Sequence, residues 1–558
     1  MRERNKHIFK IGHVSCNRGV RRWIAVASVI LILAGCAAPL VEDDSRIRAL
    51  TERLNDIETV RLEDQSTSEP VSVEQATGEV VEQITEPNEP CPVVELTLAE
   101  VRAAALANNL DLKAELVDPS IAQQAVDEER AKFESVFFGS ARHRRTEAVD
   151  SATISTTDSY EAGVESPLHT GGSIIASFPF SDAESENPDF DGVSEAAVSV
   201  SFIQSLLRQA GTRVNTHSIR IASHQKHIID ARTKLVAIHI LANVDVAYWR
   251  LLEAHRELEV RREQYKLAQD QLSHARRKVA TGSAAKIEIV RAEAGLASRL
   301  EDVITAETTL RNRERDLKRI MNRDDMPMNS AISIVAATEP NPLGLDLDEE
   351  AMAEAAIANR MEMVELELHL AVDDINIELA RNATLPLVTF DYTYTTRTQS
   401  GTIGRAIGHL AGSSYPDHSV GLSAIIPLGN EAAKARLRRA HLEQIRNLAT
   451  REQLQLAIRQ QVYEAVNGLL QNWRGILAAA QGVTAAYRNY KVEQSQFQLG
   501  LRTSTDVLLA AAGLADAQLR KIRAFVEYQI AQVNLARATG TLLGYGQVQL
   551  EAIDIEGK

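Results

Sequence analysis

The sequence has 558 residues, of which 44% are hydrophobic, 4% aromatic and 25% charged, and its formal net charge is −15. This apolar content is ordinary for a large folded protein and argues against a disordered chain. The acidic balance argues against a nucleic-acid partner, because binding phosphate groups requires a basic surface.

The first 35 residues predict an export signal. Three arginines between positions 18 and 22 precede an apolar run, Trp23 to Ala34, that is too short for a permanent membrane helix. The run ends in Leu33-Ala34-Gly35-Cys36, which resembles the bacterial lipobox and implies that Cys36 is acylated and becomes the first residue. An ordinary signal peptide with an incidental Cys36 is the alternative. Ala37 follows the cysteine, which by resemblance to Gram-negative lipoproteins implies the outer membrane.

Residues 36–95 predict an acidic tether. From Val41 to Pro90 the chain has 14 acidic and 4 basic residues and few large apolar ones, so it cannot bury enough surface to fold alone. With Cys16 cleaved away and Cys36 acylated, Cys91 has no partner, and we expect neither a disulfide nor a cysteine metal site.

A very long helix is predicted from Thr212 to Thr281. These 70 residues contain no Gly or Pro, and as a helix they would extend about 100 Å. Their apolar residues follow an alternating four-three step, which predicts a coiled-coil seam. The seam recurs 218 residues later, and each copy ends at a glycine, Gly282 or Gly500. The chain is therefore an internal duplication. The seams include Ile240, Val244, Leu251, Ala254, Leu258 and, in the second copy, Ile458, Val462, Leu469 and Ile476.

Each copy also has shorter helices and a β segment. LTLAEVRAAALANNLDL from Leu96 corresponds to LDLDEEAMAEAAIANRMEM from Leu345, and a second shorter helix follows each glycine. Between the first helix and the long one, β-branched and aromatic residues alternate with polar ones, which predicts strands. We place the first repeat at 96–322 with strands at about 134–205, a linker at 323–344, the second repeat at 345–543 with strands at about 385–427, and an unassigned extension at 544–558.

Strands of alternating polarity can cross a membrane only as a closed barrel, because open edges would leave backbone groups unsatisfied. Four strands per chain are too few for a pore, so several chains must close it together. Aromatic residues such as Phe137, Phe138, Phe390 and Tyr392 are predicted to face lipid or the membrane interface.

These segments resemble the outer membrane efflux protein (TolC-like) family from about Leu96 to Leu543. The matching features, in order, are LTLAEVRAAALANN, Leu385-Pro386 before a strand, Ile426-Pro427-Leu428-Gly429-Asn430 before the second long helix, and GLRTSTDVLLAAAGLADAQL from Gly500. The resemblance implies a mainly α fold with membrane β structure: a homotrimer with a long periplasmic α-helical barrel and an outer-membrane β-barrel. It also implies a passive channel of a tripartite efflux or type I secretion system, docked through a periplasmic adaptor onto an inner-membrane transporter.

The first copy is longer than the second. Corresponding first helices lie 249 residues apart and the glycine tips 218 apart, which leaves 31 extra residues around Tyr160 to Phe180. We expect an external loop or a hairpin outside the membrane, because extra barrel strands would change the pore size and break the symmetry of the repeats.

The candidate functional residues lie at the helix tips. Asp506 and Glu288 each follow a tip glycine by six residues, and in a trimer they would form two carboxylate rings that select cations or hold a gate shut. In the family the tip Asp and the Arg four residues before it help to close the entrance, which implies such roles for Asp506 and Arg502. The family's prototype has a second Asp where this chain has Leu509. The alternative is that both carboxylates merely favour helix N-termini.

Lys286 and Arg502, with the turn glycines Gly282 and Gly500, are candidate adaptor contacts. No Ser-His-Asp set, phosphate loop or metal spacing suggests an enzyme, a cofactor or a metal site. A structural coiled-coil outer-membrane lipoprotein and a periplasmic adaptor are the alternative functions. A structural lipoprotein would not explain the β segments, and an adaptor would carry one helical hairpin rather than two. The substrate cannot be read from the sequence.

Overall fold

The protein is described by a computed structural model that covers residues 92–147, 154–185, 192–410, 412, 415–499 and 501–545. The export signal 1–35, Cys36, the acidic tether up to Cys91, the tip residue Gly500 and residues 546–558 of the extension lie outside the described residues.

The first repeat contains most of the strands. Its elements in order are β1 (Val93–Leu96), α1 (Leu98–Asn108), α2 (Leu110–Glu115), α3 (Asp118–Ala131), β2 (Val136–Glu147), β3 (Ile154–Leu168), β4 (Gly172–Ser185), β5 (Val193–Ser205), α4 (Thr212–Asn215), α5 (His217–Ala280) and α6 (Ile287–Met321). The inter-repeat linker contains β6 (Ser333–Ala336). The second repeat follows with α7 (Glu349–Asn359), α8 (Met361–Asn382), β7 (Leu387–Ser400), α9 (Ile403–His409), β8 (Tyr415–Ile425), α10 (Glu431–Gln498), α11 (Ser504–Ala538) and α12 (Leu542–Tyr545).

The two long helices, α5 and α10, dominate the structure. They contain 64 and 68 residues, so each is about 100 Å long. The heptad seam is buried as its spacing predicts, with Val244, Leu251, Ile458 and Val462 fully enclosed. One window of α5 is apolar enough to cross a membrane, but 56% of that window is buried inside the protein, which identifies α5 as a core helix.

The first helical segment of the first repeat is divided into α1, α2 and α3. Asn109 ends α1, and its side chain then accepts a hydrogen bond from the Leu112 amide, which starts α2. Pro119 lies in the first turn of α3, where a missing amide proton is tolerated. A break at Arg360 separates α7 from α8 in the second repeat.

The long helices and their shorter neighbours form one layer. In the half nearer the tips the described helices pack in the order α6, α5, α11, α10, and in the other half α8 lies between α5 and α10 while α3 packs on the far side of α5. Val526 and Ile530 of α11 belong to the same core as Leu251 of α5, so the two repeats share buried surface.

A short parallel strand pair joins the start of the first repeat to the inter-repeat linker. β1 pairs with β6 from Val93 opposite Ser333 to Leu96 opposite Ala336. The Tyr248 hydroxyl of α5 donates to the Leu96 carbonyl at 3.1 Å and accepts from the Thr338 amide at 2.8 Å. The sequence prediction placed these segments in the tether and the linker, because four-residue strands carry too little alternation to be recognised.

The remaining strands form one antiparallel sheet, here called the large sheet. Among the described residues its order is β2-β3-β4-β5-β7-β8. The expectation of four strands per chain was therefore wrong. Of the loop and the hairpin expected around Tyr160 to Phe180, the structure shows the hairpin, formed by β3 and β4 between β2 and β5. The hairpin turn requires Gly171, whose φ is +91° and whose position would place a Cβ against the Gln209 carbonyl.

Candidate functional site

The large sheet has one apolar and one polar face. Directly paired residues of an antiparallel sheet point to the same face, so the pairing register assigns every described strand residue to a face. The apolar face carries Phe137, Tyr160, Val164, Leu168, Ile174, Phe178, Phe180, Val200, Phe202, Phe390, Tyr392, Val420 and Leu422. The polar face carries Ser140, Arg142, Ser159, Glu161, Glu165, Ser173, Ser181, Glu195, Ser199, Ser201, Thr393, Thr395, Arg397, Asp417 and Ser419.

The apolar face is exposed in the single chain. Phe137 is 74% exposed, Leu422 70% and Val420 68%, which is far more apolar surface than a water-facing sheet tolerates. On β3 these positions extend over nine residues, from Tyr160 to Leu168, which is close to the length a tilted strand needs to cross the bilayer core. This face is suited to contact membrane lipid.

Phe138 departs from the sequence expectation. It neighbours Phe137 on one strand and therefore lies on the polar face, whereas Phe137, Phe390 and Tyr392 lie on the apolar one. Its ring fills the space above Gly163, where a Cβ would lie 2.6 Å from the ring. Phe138 thus covers a glycine in the neighbouring strand rather than facing lipid.

The polar face holds a depression of about 420 Å³ whose lining includes Arg142, Glu161, Glu195 and Arg397. Arg397 forms an ion pair with Asp417 at 3.0 Å across two strands. A sheet with charged residues on one face and apolar residues on the other has the polarity of a membrane pore wall.

The second helix tip connects α10 to α11 and contains Asp506. The Asp506 Oδ2 atom accepts hydrogen bonds from the Thr503 amide at 2.9 Å and hydroxyl at 2.8 Å, and the Asp506 amide donates back to the Thr503 hydroxyl. This capping box satisfies free amides at the start of α11. The bonds from Thr503 hold the pKa of the exposed Asp506 carboxyl below its usual value.

Arg502 points back to α10 rather than to Asp506. Its Nε atom lies 3.0 Å from Gln496 Oε1 and 3.3 Å from Glu493 Oε2. Its charge is the smallest of the influences that lower the Asp506 pKa. The structure thus places Arg502 and Asp506 in one tip, each engaged with its own helix.

The first helix tip connects α5 to α6 and contains Glu288. Gly282 forms the turn with φ at +72°, and Lys286 precedes α6 without a side-chain cap. Glu288 accepts from the Ser504 hydroxyl at 3.1 Å and from Arg291 at 2.8 Å. The structure therefore brings the carboxylate of the first tip to the second tip.

A cation–π contact adds a second link between the tips. The Lys278 Nζ atom lies 3.8 Å from the centre of the Phe497 ring. Neither Lys278 nor Ser504 was singled out from the sequence. The only sequence signal for these contacts is the repeat offset, which aligns the two tips and so indicates that their residues could lie close together.

Apolar side chains project from both tips. Leu509, identified from the sequence as a departure from the family, is 74% exposed, and four further residues, Leu499, Leu501, Ile287 and Val290, are also exposed. Their positions lie outside the heptad seam, which is the signal that could have found them. Such a cluster at the end of long helices is typical of a protein-binding surface.

Comparison with known proteins finds similarity to outer-membrane efflux proteins. The pattern of the outer membrane efflux protein family matches residues 352–541, which span most of the second repeat. The outer membrane protein TolC of Vibrio cholerae is 25% identical over 306 residues, covering 54% of this chain and 68% of the relative. TolC of Escherichia coli K12 is 24% identical over 368 residues, covering 63% of this chain and 71% of the relative. The second repeat therefore matches the outer membrane efflux protein family, and the TolC proteins are similar to the chain beyond that repeat.

Solved channels of this kind share the fold. The Campylobacter jejuni CmeC outer membrane channel superposes with a TM-score of 0.61 at 15% identity, covering 80% of this chain and 85% of that one. The expected fold class, a helical barrel joined to a membrane β-barrel, is thereby confirmed. The similarity to TolC and to outer-membrane channels indicates that the chain lies in the outer membrane with its helices extending into the periplasm.

Proposed function

We propose that this protein is the outer-membrane channel of a multi-component export system, through which substrates pass passively from a pump to the exterior. The observation that carries the proposal is the large sheet, which has one apolar and one mainly polar face and whose strands lead into a layer of helices about 100 Å long. Such a layer is long enough to extend the membrane pore into the periplasm.

The proposed assembly is a homotrimer. Among the described strands, β2 and β8 form the sheet edges and each has one partner, and in lipid their free backbone groups need a second copy of the chain. The edge helix α10 carries exposed Leu442, Leu456 and Leu477 at intervals that are multiples of seven, which provides a coiled-coil face for the neighbouring copy. The number three follows from the family resemblance.

The proposed gate lies at the helix tips. In a trimer, three copies of Asp506 and Glu288 form carboxylate rings, and the Glu288–Ser504 and Arg502–Glu493 contacts hold the tip helices in a closed arrangement. A periplasmic adaptor that binds Leu501, Leu509 and the neighbouring Lys286 would favour an open arrangement and so shift the population of the two states. Behind the adaptor lies an inner-membrane transporter, either an efflux pump or a type I secretion ATPase.

Single-channel conductance of the purified trimer in a planar bilayer tests the channel and the gate together. The wild-type protein is compared with the Glu288→Ala, Asp506→Ala double variant. The matched control is Glu293→Ala, which removes a carboxylate one turn further along α6 that pairs with Arg276 of the same hairpin.

The proposal expects small cation-selective openings in the wild type and the control, and larger or less selective openings in the double variant. Equal conductance of all three proteins would leave the channel but contradict the gate. Absence of conductance from folded trimers would favour the structural-lipoprotein alternative.

Acylation of Cys36 is a separate proposal, and it is tested by the mass of the N-terminal peptide of the mature protein. The expected mass is that of a peptide beginning at Cys36 plus a diacylglyceryl group and an amide-linked acyl group. An unmodified peptide that begins at another residue would instead indicate an ordinary signal peptide.

A further inference from the structure

The β3–β4 hairpin is part of the large sheet along its whole length. β3 pairs with β2 from Val136 opposite Glu165 to Glu147 opposite Ile154, and β4 pairs with β5 from Gly172 opposite Gln204 to Ala183 opposite Val193. Without the hairpin, β2 and β5 would be the neighbours. The hairpin is therefore inserted into the middle of the first repeat's β segment.

The hairpin continues both faces of the sheet. Val164 of β3 and Ala176 of β4 lie in one row with Phe137, Val200 and Tyr394 on the apolar face. The next row, on the polar face, contains Glu165 and Ser201 together with Val136 and Ile175. Because most large apolar residues of β3 and β4 lie on the same face as those of β5 and β7, the hairpin has the same overall polarity as the strands that flank it.

The turn of the hairpin is fixed to the helical layer. His169 stacks on Phe133, with ring centres 4.2 Å apart and planes 11° apart. The Thr170 carbonyl accepts from the Gly211 amide at 3.0 Å and from the Gln204 amide nitrogen Nε2 at 2.9 Å. These bonds place the turn level with the other strand–helix junctions. This end of the hairpin therefore lies at the same depth as the start of β2 and the end of β5.

The added width matches the helical duct. Three copies of a layer four described helices wide place twelve helices around the axis, with a circumference of about 110–120 Å at 9–10 Å per helix. Eighteen strands spaced about 4.8 Å and tilted about 40° give a circumference of about 113 Å, whereas twelve give about 75 Å. The extra hairpin brings the two circumferences into agreement.

We propose that the β3–β4 hairpin spans the outer membrane, so that three copies close an eighteen-stranded barrel as wide as the helical duct beneath it. The proposal rests on the trimeric channel proposed above. It makes the hairpin the element that sets the bore of the exit: the width of a transported substrate is limited by the helical duct and its gate, not by the membrane barrel.

Spin labels at matched positions test whether the hairpin lies in the membrane. In a Cys91→Ser background, single labels are placed at Val164→Cys and Glu165→Cys on β3 and at Val200→Cys and Ser201→Cys on β5. Val164 and Val200 share one row, and Glu165 and Ser201 share the next, so each β3 label has a control at the same depth. In proteoliposomes, collision with oxygen reports lipid exposure and collision with a water-soluble nickel chelate reports exposure to the lumen.

The proposal expects positions 164 and 200 to be accessible to oxygen and positions 165 and 201 to the nickel chelate. If the β5 labels alternate while both β3 labels contact only the chelate, the hairpin lies outside the membrane; the inference then fails and the channel stands. If neither strand alternates, the membrane barrel itself fails. Electron cryo-microscopy of the trimer in lipid nanodiscs gives an independent measure: a backbone diameter of about 36 Å supports eighteen strands, and about 24 Å overturns them.

Discussion

The two helix tips differ although the duplication makes them equivalent. The 218-residue offset pairs Asp506 with Glu288 and Thr503 with Ala285. In the second tip Thr503 engages Asp506 in a capping box, while in the first tip the alanine has no hydroxyl, and Glu288 reaches Ser504 of the other tip instead. The difference between Thr503 and Ala285 thus accompanies a difference in role: Asp506 stabilises its own helix, whereas Glu288 links two helices.

The same contrast occurs higher on the long helices, where the offset pairs Asp245 with Tyr463. Asp245 is fully buried and receives two hydrogen bonds from Arg102, at 2.7 and 2.6 Å. Tyr463 donates to Glu350, which also pairs with Arg459 at the surface. The first repeat therefore joins α1 to α5 by a buried ion pair, and the second repeat joins α7 to α10 through exposed groups.

Removing the buried pair has the largest expected effect. Arg102→Ala leaves the Asp245 carboxylate buried without its main partner, which costs on the order of 3–5 kcal/mol of folding stability. Thermal unfolding followed by circular dichroism should show a clearly lower midpoint. Arg459→Ala, which removes the exposed contact with Glu350 in the second repeat, should change the midpoint little. An equal fall in the midpoint for both variants would contradict the contrast between the buried and the exposed contact.

The Arg102→Ala defect should depend on pH. Burial raises the pKa of the Asp245 carboxyl, and the bonds from Arg102 oppose that rise. A carboxyl whose folded-state pKa is raised contributes stability at low pH and loses it as the pH rises through that pKa. Without Arg102 the pKa rises further, so the stability gap to wild type should narrow on acidification. A gap that widens in acid would contradict this explanation.

Loss of the cap in the second tip has a smaller, local effect. Thr503→Ala removes the acceptor for the Asp506 amide and should cost about 1 kcal/mol. Hydrogen exchange of that amide should become several-fold faster. Ser504→Ala, which leaves the capping box intact, serves as the control and should leave the exchange rate unchanged.

Creating a cap in the first tip should have the smallest effect on stability. Ala285→Thr supplies the missing hydroxyl three residues before Glu288, and a capping box there stabilises α6 by about 0.5–1 kcal/mol. Glu288 would then leave Ser504. Slower exchange of the Glu288 amide is the expected result, together with the larger channel openings that loss of the Glu288–Ser504 contact should cause. Faster exchange would show that the tips differ for another reason.

The helices were predictable because their signals are long. A seam repeated over many heptads fixes the buried residues of α5 and α10, and the glycine at position 282 marks the end of α5. The outline of the β segments followed from alternation in the same way. These features depend on sequence periodicity alone.

The remaining features depend on contacts between residues far apart in the chain, and so they could not be predicted from local sequence patterns. The strand number required knowledge that β3 pairs with both β2 and β4, and residues such as Tyr160 fit a loop or a strand equally well from their own composition. At the tips, the contact between Glu288 and Ser504 joins residues 216 positions apart. A local pattern identifies the carboxylates but does not show which partner each one chooses.

The Tyr248 hydroxyl bonds to both β1 and the inter-repeat linker, far from the tip of α5. About 32 residues of α5 lie between Tyr248 and the tip, a length of about 48 Å. A tilt of about 5° at this level would displace the tip by about 4 Å, which is the scale of a side chain. If the tips form the gate proposed above, a slight rotation about the level of Tyr248 would therefore be enough to open it.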